Sequence, residues 1–224
     1  MSKYLTAFTP DKAALAALGE TVRERLEADP GIHCITKQRA ELYVCGDFLD
    51  SHECEKLMEM IDQTARPSTL FKETMREGYR TSYSGDMDQG ASMTRMFDRR
   101  VSDLLGIDDT WGERAQGQRY DPGQQYKQHC DFFHTDSGYW KKEEKRGGQR
   151  SWTAMAYLND VEEGGETEFP LLELSVTPKQ GALLIWNNAH PDGSPNKNTL
   201  HAALPVIRGR KYVVTKWFRT RMWN

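Results

Sequence analysis

Residues 211–219 read KYVVTKWFR, nine residues rich in β-branched and aromatic side chains with no Gly or Pro among them. That composition predicts a strand. A two-residue period puts Lys211, Val213, Thr215, Trp217 and Arg219 on one face and Tyr212, Val214, Lys216 and Phe218 on the other. Upstream, runs of similar character recur at Gln116–Tyr120, Tyr126–Asp131, Ser151–Leu158, Gly181–Asn187 and Thr199–Pro205. Asp121-Pro122-Gly123 and Glu163-Gly164-Gly165 punctuate them, since Pro presets φ and Gly supplies φ > 0. Many short strands joined by such turns predict a sandwich or jelly roll.

Before about Ala115 the period is helical. Thr9-Pro10-Asp11 offers an N-cap, a Pro at the first helical position and an early acid. Leu15, Leu18, Val22 and Leu26 then share one face until Asp29-Pro30-Gly31. A second helix is expected from Asp50, with Glu53 completing a capping box. Its inward residues are Cys54, Leu57, Met58 and Ile61, and Arg66-Pro67 ends it. A third spans Ser92 to Gly106, turning Met93, Met96, Phe97, Val101, Leu104 and Leu105 inward. The polar stretch 76–90 is expected to be a mobile loop. The charged run from Lys141 to Gly148 is expected to be a solvated loop, placed to serve as a lid. The expected fold is α+β with a mainly β core, a jelly roll carrying N-terminal helices on one outer face. Residues 1–39 form a helical extension and residues 40–224 the main domain, in one globular unit.

A chain of 224 residues suffices for one sizeable core. Its net charge of −3 gives no electrostatic reason to expect nucleic acid or an anionic membrane as partner. The first thirty residues lack the apolar segment of a signal peptide, and no run approaches the roughly 20 apolar residues of a membrane span. Four cysteines (Cys34, Cys45, Cys54 and Cys130) without CxxC spacing suggest reduced thiols and a cytoplasmic location. A Cys34–Cys45 bridge remains compatible with the spacing.

His129 and Asp131 lie two apart in a predicted strand, so both can face the interior while Cys130 points away. With His201 from a later strand they make two imidazoles and a carboxylate, the facial set that holds ferrous iron with open positions. Zinc uses similar donors, but there is no HExxH, and a hydrolytic site has no need of Lys211 placed for a second carboxylate. His134-Thr135-Asp136 repeats the HxD spacing but runs into the Ser137-Gly138 turn, which favours His129. Lys211 is an ammonium in an apolar stretch, costly to bury alone, and the distal carboxylate of a 2-oxo acid would partner it. Tyr120 and Thr153 can each turn a hydroxyl to that carboxylate, with Trp217 on the same face as Lys211.

These residues resemble the prolyl 4-hydroxylase-type 2-oxoglutarate- and Fe(II)-dependent dioxygenases from about Ala40 to Arg219. Glu41-Leu42-Tyr43-Val44 and Phe48-Leu49-Asp50-Ser51 are similar to the family's first strand and helix start, and Arg80-Thr81-Ser82 to its substrate loop. Tyr120, Gly123, Tyr126, His129 and Asp131 follow its YxxGxxYxxHxD pattern. Gly147 to Thr153, Tyr157-Leu158, Gly164 to Pro170, Leu200 to Val206, Gly209 to Tyr212 and Lys216-Trp217 resemble its later segments. The resemblance implies a double-stranded β-helix with iron on His129, Asp131 and His201. It implies 2-oxoglutarate on Lys211, Tyr120 and Thr153, and substrate at Trp217, Arg80, Ser82 and Tyr126. It also implies O2 as co-substrate, with ascorbate to rescue oxidised iron. Leu204 stands where many members carry Cys.

The implied activity is hydroxylation of an unactivated C–H, foremost a prolyl residue of a peptide or protein, with 2-oxoglutarate decarboxylated to succinate. A free amino acid or another small molecule is the alternative substrate, and a non-turnover 2-oxoglutarate or oxygen sensor the alternative class. Asp131 argues against a halogenase. No family motif is identifiable before Ala40, where the helix either serves a homodimer or packs on the core.

Overall fold

A computed structural model of the chain describes residues 11–69 and 78–224. Helix α1 (Lys12–Ala28) buries Leu15, Gly19, Val22 and Leu26; the Thr9-Pro10 part of its expected cap lies outside the described residues. Helix α2 (Ser51–Thr64) starts as expected. The Asp50 carboxylate accepts from Glu53 N at 2.7 Å while Asp50 N donates to the Glu53 side chain at 3.0 Å. Helix α3 (Ser92–Leu105) ends at Gly106, whose φ of 68° is the left-handed cap that glycine adopts without cost.

The strands pair antiparallel throughout. The major sheet runs β1 (Ile32–Thr36), β2 (Leu42–Cys45), β11 (Leu183–Asn187), β7 (Arg150–Tyr157), β14 (Lys211–Arg219), β5 (Gln116–Tyr120), β4 (Tyr83–Asp86), β3 (Arg66–Pro67). The minor sheet runs β10 (Leu174–Val176), β9 (Thr167–Phe169), β12 (His201–Ala203), β6 (Tyr126–His129). A small ribbon pairs β13 (Val206–Arg208) with β8 (Glu163–Gly164). From β5 onward the chain alternates between the sheets: β5, β7, β11 and β14 lie in one, and β6, β9 and β12 in the other. That winding is the jelly roll expected from the strand pattern, and the double-stranded β-helix that the family resemblance implies.

The central strands are buried on both faces. Tyr43, Trp152, Ala154, Leu183, Ile185, Val214 and Phe218 join the helices in one core, which also takes Val22 and Leu26 of α1. Leu42, Met155, Tyr157, Leu184, Trp186 and Val213 point the other way, into the space between the sheets. Gly117 allows the close seating of α2, since a Cβ there would lie 2.3 Å from Ile61 Cγ1.

Two expectations need correcting. The stretch 76–90 is not all loop: Tyr83–Asp86 pairs with Gln116–Arg119 as β4, because the exposed edge of β5 supplies hydrogen-bond partners that local composition does not reveal. The Lys141–Gly148 run is not simply solvated either. Trp140–Lys145 forms helix α4, with Trp140 and Glu143 both buried on one face. All four cysteines are free. Cys34 sits opposite Tyr43, and Cys45 opposite Ile32, so the strand register separates them.

Candidate active site

The pairing of β12 with β6 sets His201 directly opposite His129, with ring centroids 4.2 Å apart. Asp131 follows two residues after His129, and one ligand atom from each of the three lies within 4.8 Å of the others. Each imidazole Nδ1 faces a backbone carbonyl, Lys127 O at 2.8 Å for His129 and Thr199 O at 2.9 Å for His201. A carbonyl only accepts, so both Nδ1 atoms carry the proton and both Nε2 lone pairs are left for a metal. Burial, reinforced by His201, pushes His129 well below its ordinary pKa and keeps it neutral, as a ligand must be. Burial alone would push Asp131 up, but the two imidazoles, Arg150 and the Thr153 hydrogen bond hold it below its ordinary value. His134 and Asp136 are exposed and outside this cluster.

Thr153 sits beneath the carboxylate. Its Oγ1 donates to Asp131 Oδ2 at 2.8 Å and accepts from Asn188 Nδ2 at 2.9 Å. Its hydroxyl therefore engages the metal ligand rather than reaching towards Lys211. The register explains this: inward residues of β7 step along the strand, with Thr153 opposite Trp217 at one end and Tyr157 opposite Val213 at the other. Tyr120 pairs with Lys211 across β5 and β14, but its hydroxyl donates to Gln118 Oε1 at 2.8 Å.

Lys211 is 1% exposed, and among the described residues no carboxylate forms an ion pair with it. It lies 5.5 Å from the ring centroids of both Tyr120 and Tyr157. Burial pulls its pKa down to about 7, opposed only by Glu166. Its Nζ donates to Thr167 Oγ1 at 3.3 Å, and the Tyr157 hydroxyl donates to the same oxygen at 2.7 Å. Thr167 thus accepts twice and has its own proton to give. The sequence reading assigned no role to Tyr157, Thr167 or Asn188; strand parity and cross-strand register would have found the first two.

A cavity of about 990 Å³ joins Lys211 and Thr167 to the triad and is lined as well by Arg80, Arg150 and Trp217. Tyr126 stacks on His129 at 3.5 Å and 14°, and the Arg80 guanidinium lies 4.8 Å from the Tyr126 ring. Arg80 also bonds Ser82, Ser84 and Gln116. Ser82 is buried behind it, shared with Ser68, and does not line the cavity. Arg150 lies 4.3 Å over Trp217 and is held by both oxygens of Glu113, at 2.6 and 2.8 Å. Burial would raise Glu113, but Arg150 and Arg219 outweigh it and keep the carboxylate ionised. The Trp217 indole N–H has no acceptor among the described residues.

Two imidazoles, a carboxylate and a buried cation in one cavity define a non-haem iron centre with a place for a 2-oxo acid. Residues 115–219 match the 2OG-Fe(II) oxygenase superfamily. Prolyl 4-hydroxylase 5 of Arabidopsis thaliana is 34% identical over 205 residues, covering 80% of this chain and 68% of that one. The prolyl 4-hydroxylase subunit alpha-1 of Gallus gallus is 40% identical over 122 residues, 54% of this chain and 23% of that one. A viral collagen prolyl hydroxylase from Paramecium bursaria Chlorella virus-1, solved with 2-oxoglutarate, is 28% identical with a TM-score of 0.63, covering 80% of this chain and 95% of that one. The chain belongs to the prolyl 4-hydroxylase group of 2OG-Fe(II) oxygenases, and it is a 2-oxoglutarate-dependent dioxygenase. Its family implies Fe(II), 2-oxoglutarate and O2, and the donor set fits them.

Proposed function

We propose that this dioxygenase hydroxylates a prolyl residue within a peptide or protein. The observation that carries the reading is the metal triad and the unpaired Lys211 in a cavity that continues to the Trp217 indole N–H. The names of the relatives support it. His129, Asp131 and His201 hold the iron. An iron held there would supply the oxidative chemistry, by which 2-oxoglutarate would be decarboxylated to succinate and one oxygen atom would enter the substrate C–H. Lys211 pairs with the distal carboxylate of 2-oxoglutarate, and Thr167 donates its proton to the same group. Tyr120 and Tyr157 exclude water around that pair with their rings. Thr153 orients Asp131, and Asn188 orients Thr153. Arg80, held by Ser82, stacks with Tyr126 at the substrate end, where Trp217 and Arg150 form the facing wall. Ascorbate serves as the reductant for iron that oxidises without substrate, and four free thiols support a cytoplasmic location.

The test is 2-oxoglutarate turnover by anaerobically iron-loaded protein after air is admitted, with a proline-rich peptide added or withheld. Peptide-stimulated succinate with a gain of one oxygen on the peptide is expected. Succinate that no proline peptide stimulates would redirect the search to small substrates.

A further inference from the structure

The cavity lining carries five cations, Arg80, Arg114, Arg150, Lys197 and Lys211, against three carboxylates, Asp86, Glu113 and Asp131. None of the three carboxylates is free to balance them. Asp86 pairs with Arg66, Glu113 with Arg150 and Arg219, and Asp131 faces the metal position. Arg80, Arg114 and Lys197 have no carboxylate partner among the described residues. Arg80 bonds only neutral serine and glutamine oxygens. Arg114 and Lys197 are exposed. A single exposed Arg or Lys is ordinarily a solvated side chain. Here three converge on one opening in a chain whose net charge is −3.

Their placement is two-sided. Arg114 leads into β5 of the major sheet, and Arg80 reaches Gln116 on that same strand. Lys197 lies in the helical turn before β12 of the minor sheet. The iron ligands line the same cavity, so a chain entering it meets cations carried by both sheets. Beside Lys197 the rim is apolar, with Leu171 43% exposed and Leu200 next to the turn.

We propose that the substrate is an acidic peptide segment, with Asp or Glu flanking the target proline on both sides. This inference rests on the prolyl reading above and names the sequence context that reading leaves open. Clefts lined by one sign of charge concentrate the opposite charge and steer its entry. Rim cations act on encounter and binding rather than on the chemical step, so the preference belongs in KM.

The test compares three proline-centred peptides, one flanked by Glu, one by Gln and one by Lys, through succinate formation and oxygen gain on the peptide. The Glu peptide is expected to show a KM about 3- to 10-fold below its Gln isostere, the size a few exposed ion pairs provide, with kcat unchanged. Raising salt from about 0.1 M to about 1 M shortens the screening length from about 10 Å to about 3 Å and should erase most of the difference. Arg114→Gln with Lys197→Gln should reduce it as well, while leaving turnover of the Gln peptide unchanged. Equal KM values for Glu and Gln peptides would overturn the inference and leave the prolyl reading standing. A preference untouched by salt and by the double variant would overturn it too. Succinate without oxygen gain on any of the three peptides would remove the prolyl reading, and this one with it.

Discussion

Thr153 is a small residue with two unequal duties. Its donated bond fixes the orientation of Asp131, and the bond it accepts satisfies the buried Asn188 Nδ2. Thr153→Val keeps the shape and loses both. Metal affinity should fall about 10- to 100-fold, the usual effect of removing a partner behind a ligand, as read by titration of the ligand-free protein. His129→Ala or Asp131→Ala should abolish both metal binding and succinate formation, while His134→Ala retains most of each; the opposite pattern would assign the metal to the second HxD. Lys211 makes a different prediction, because its charge is buried without a carboxylate. Lys211→Met should weaken 2-oxoglutarate binding by about 1.5–3 kcal/mol, roughly 10- to 150-fold, and yet raise the melting temperature of the ligand-free protein. The pH dependence has a definite direction. The folded, ligand-free Lys211 loses its proton near pH 7, whereas the unfolded side chain keeps it to about 10.5. Ligand-free stability therefore rises across that window, most of all as pH passes 7 to 10. A bound carboxylate favours the ammonium, so 2-oxoglutarate affinity should fall over the same range, with proton uptake measurable by calorimetry in buffers of different ionisation enthalpy.

At the scale of elements, α4 shows how charge can hide burial. The run Lys141 to Arg146 is charged at every position, and a solvated loop is its plain reading. Yet Trp140 and Glu143, three apart, share a helix face turned to the body of the protein, where Glu143 accepts from Arg219. Breaking such a buried pair from one side costs about 3–5 kcal/mol. Glu143→Gln should accordingly lower the urea midpoint with little change in slope, whereas Lys141→Gln or Glu144→Gln should stay within about 0.5 kcal/mol. The long elements were legible because their signals are local: the Asp50–Glu53 box, the left-handed Gly106, the alternation in 211–219. Strand β4 was not legible, because Gly85 and Asp86 are strand-poor and outweigh Tyr83, and the segment pairs through the edge that β5 presents to it. The two HxD motifs could be ranked from their surroundings. The partners of Lys211 could not be chosen correctly, since Thr153 and Thr167 differ only in which end of the cavity their strands deliver them to.

For the whole molecule, the triad hangs on a ladder built from backbone pairing of β12 with β6 and β9. Removing iron by chelation should leave the far-ultraviolet circular dichroism unchanged. Fe(II) at about 100 times its dissociation constant should raise the melting temperature by roughly 5–10 °C, through about 2.7 kcal/mol of linkage. The same ladder carries a second consequence. His201 meets His129 because two strands of three and four residues pair across a bulge, with the His201 ring seated against Phe169 and Trp186. A slip of a single residue would turn His201 to the opposite face and away from those two rings, while leaving the strand pairings of the larger sheet in place. Such a chain would look native by size and by spectrum and would be dead. Moles of iron retained per mole of chain would therefore serve as a head count of correctly zipped molecules, a finer measure of preparation quality than solubility or elution volume.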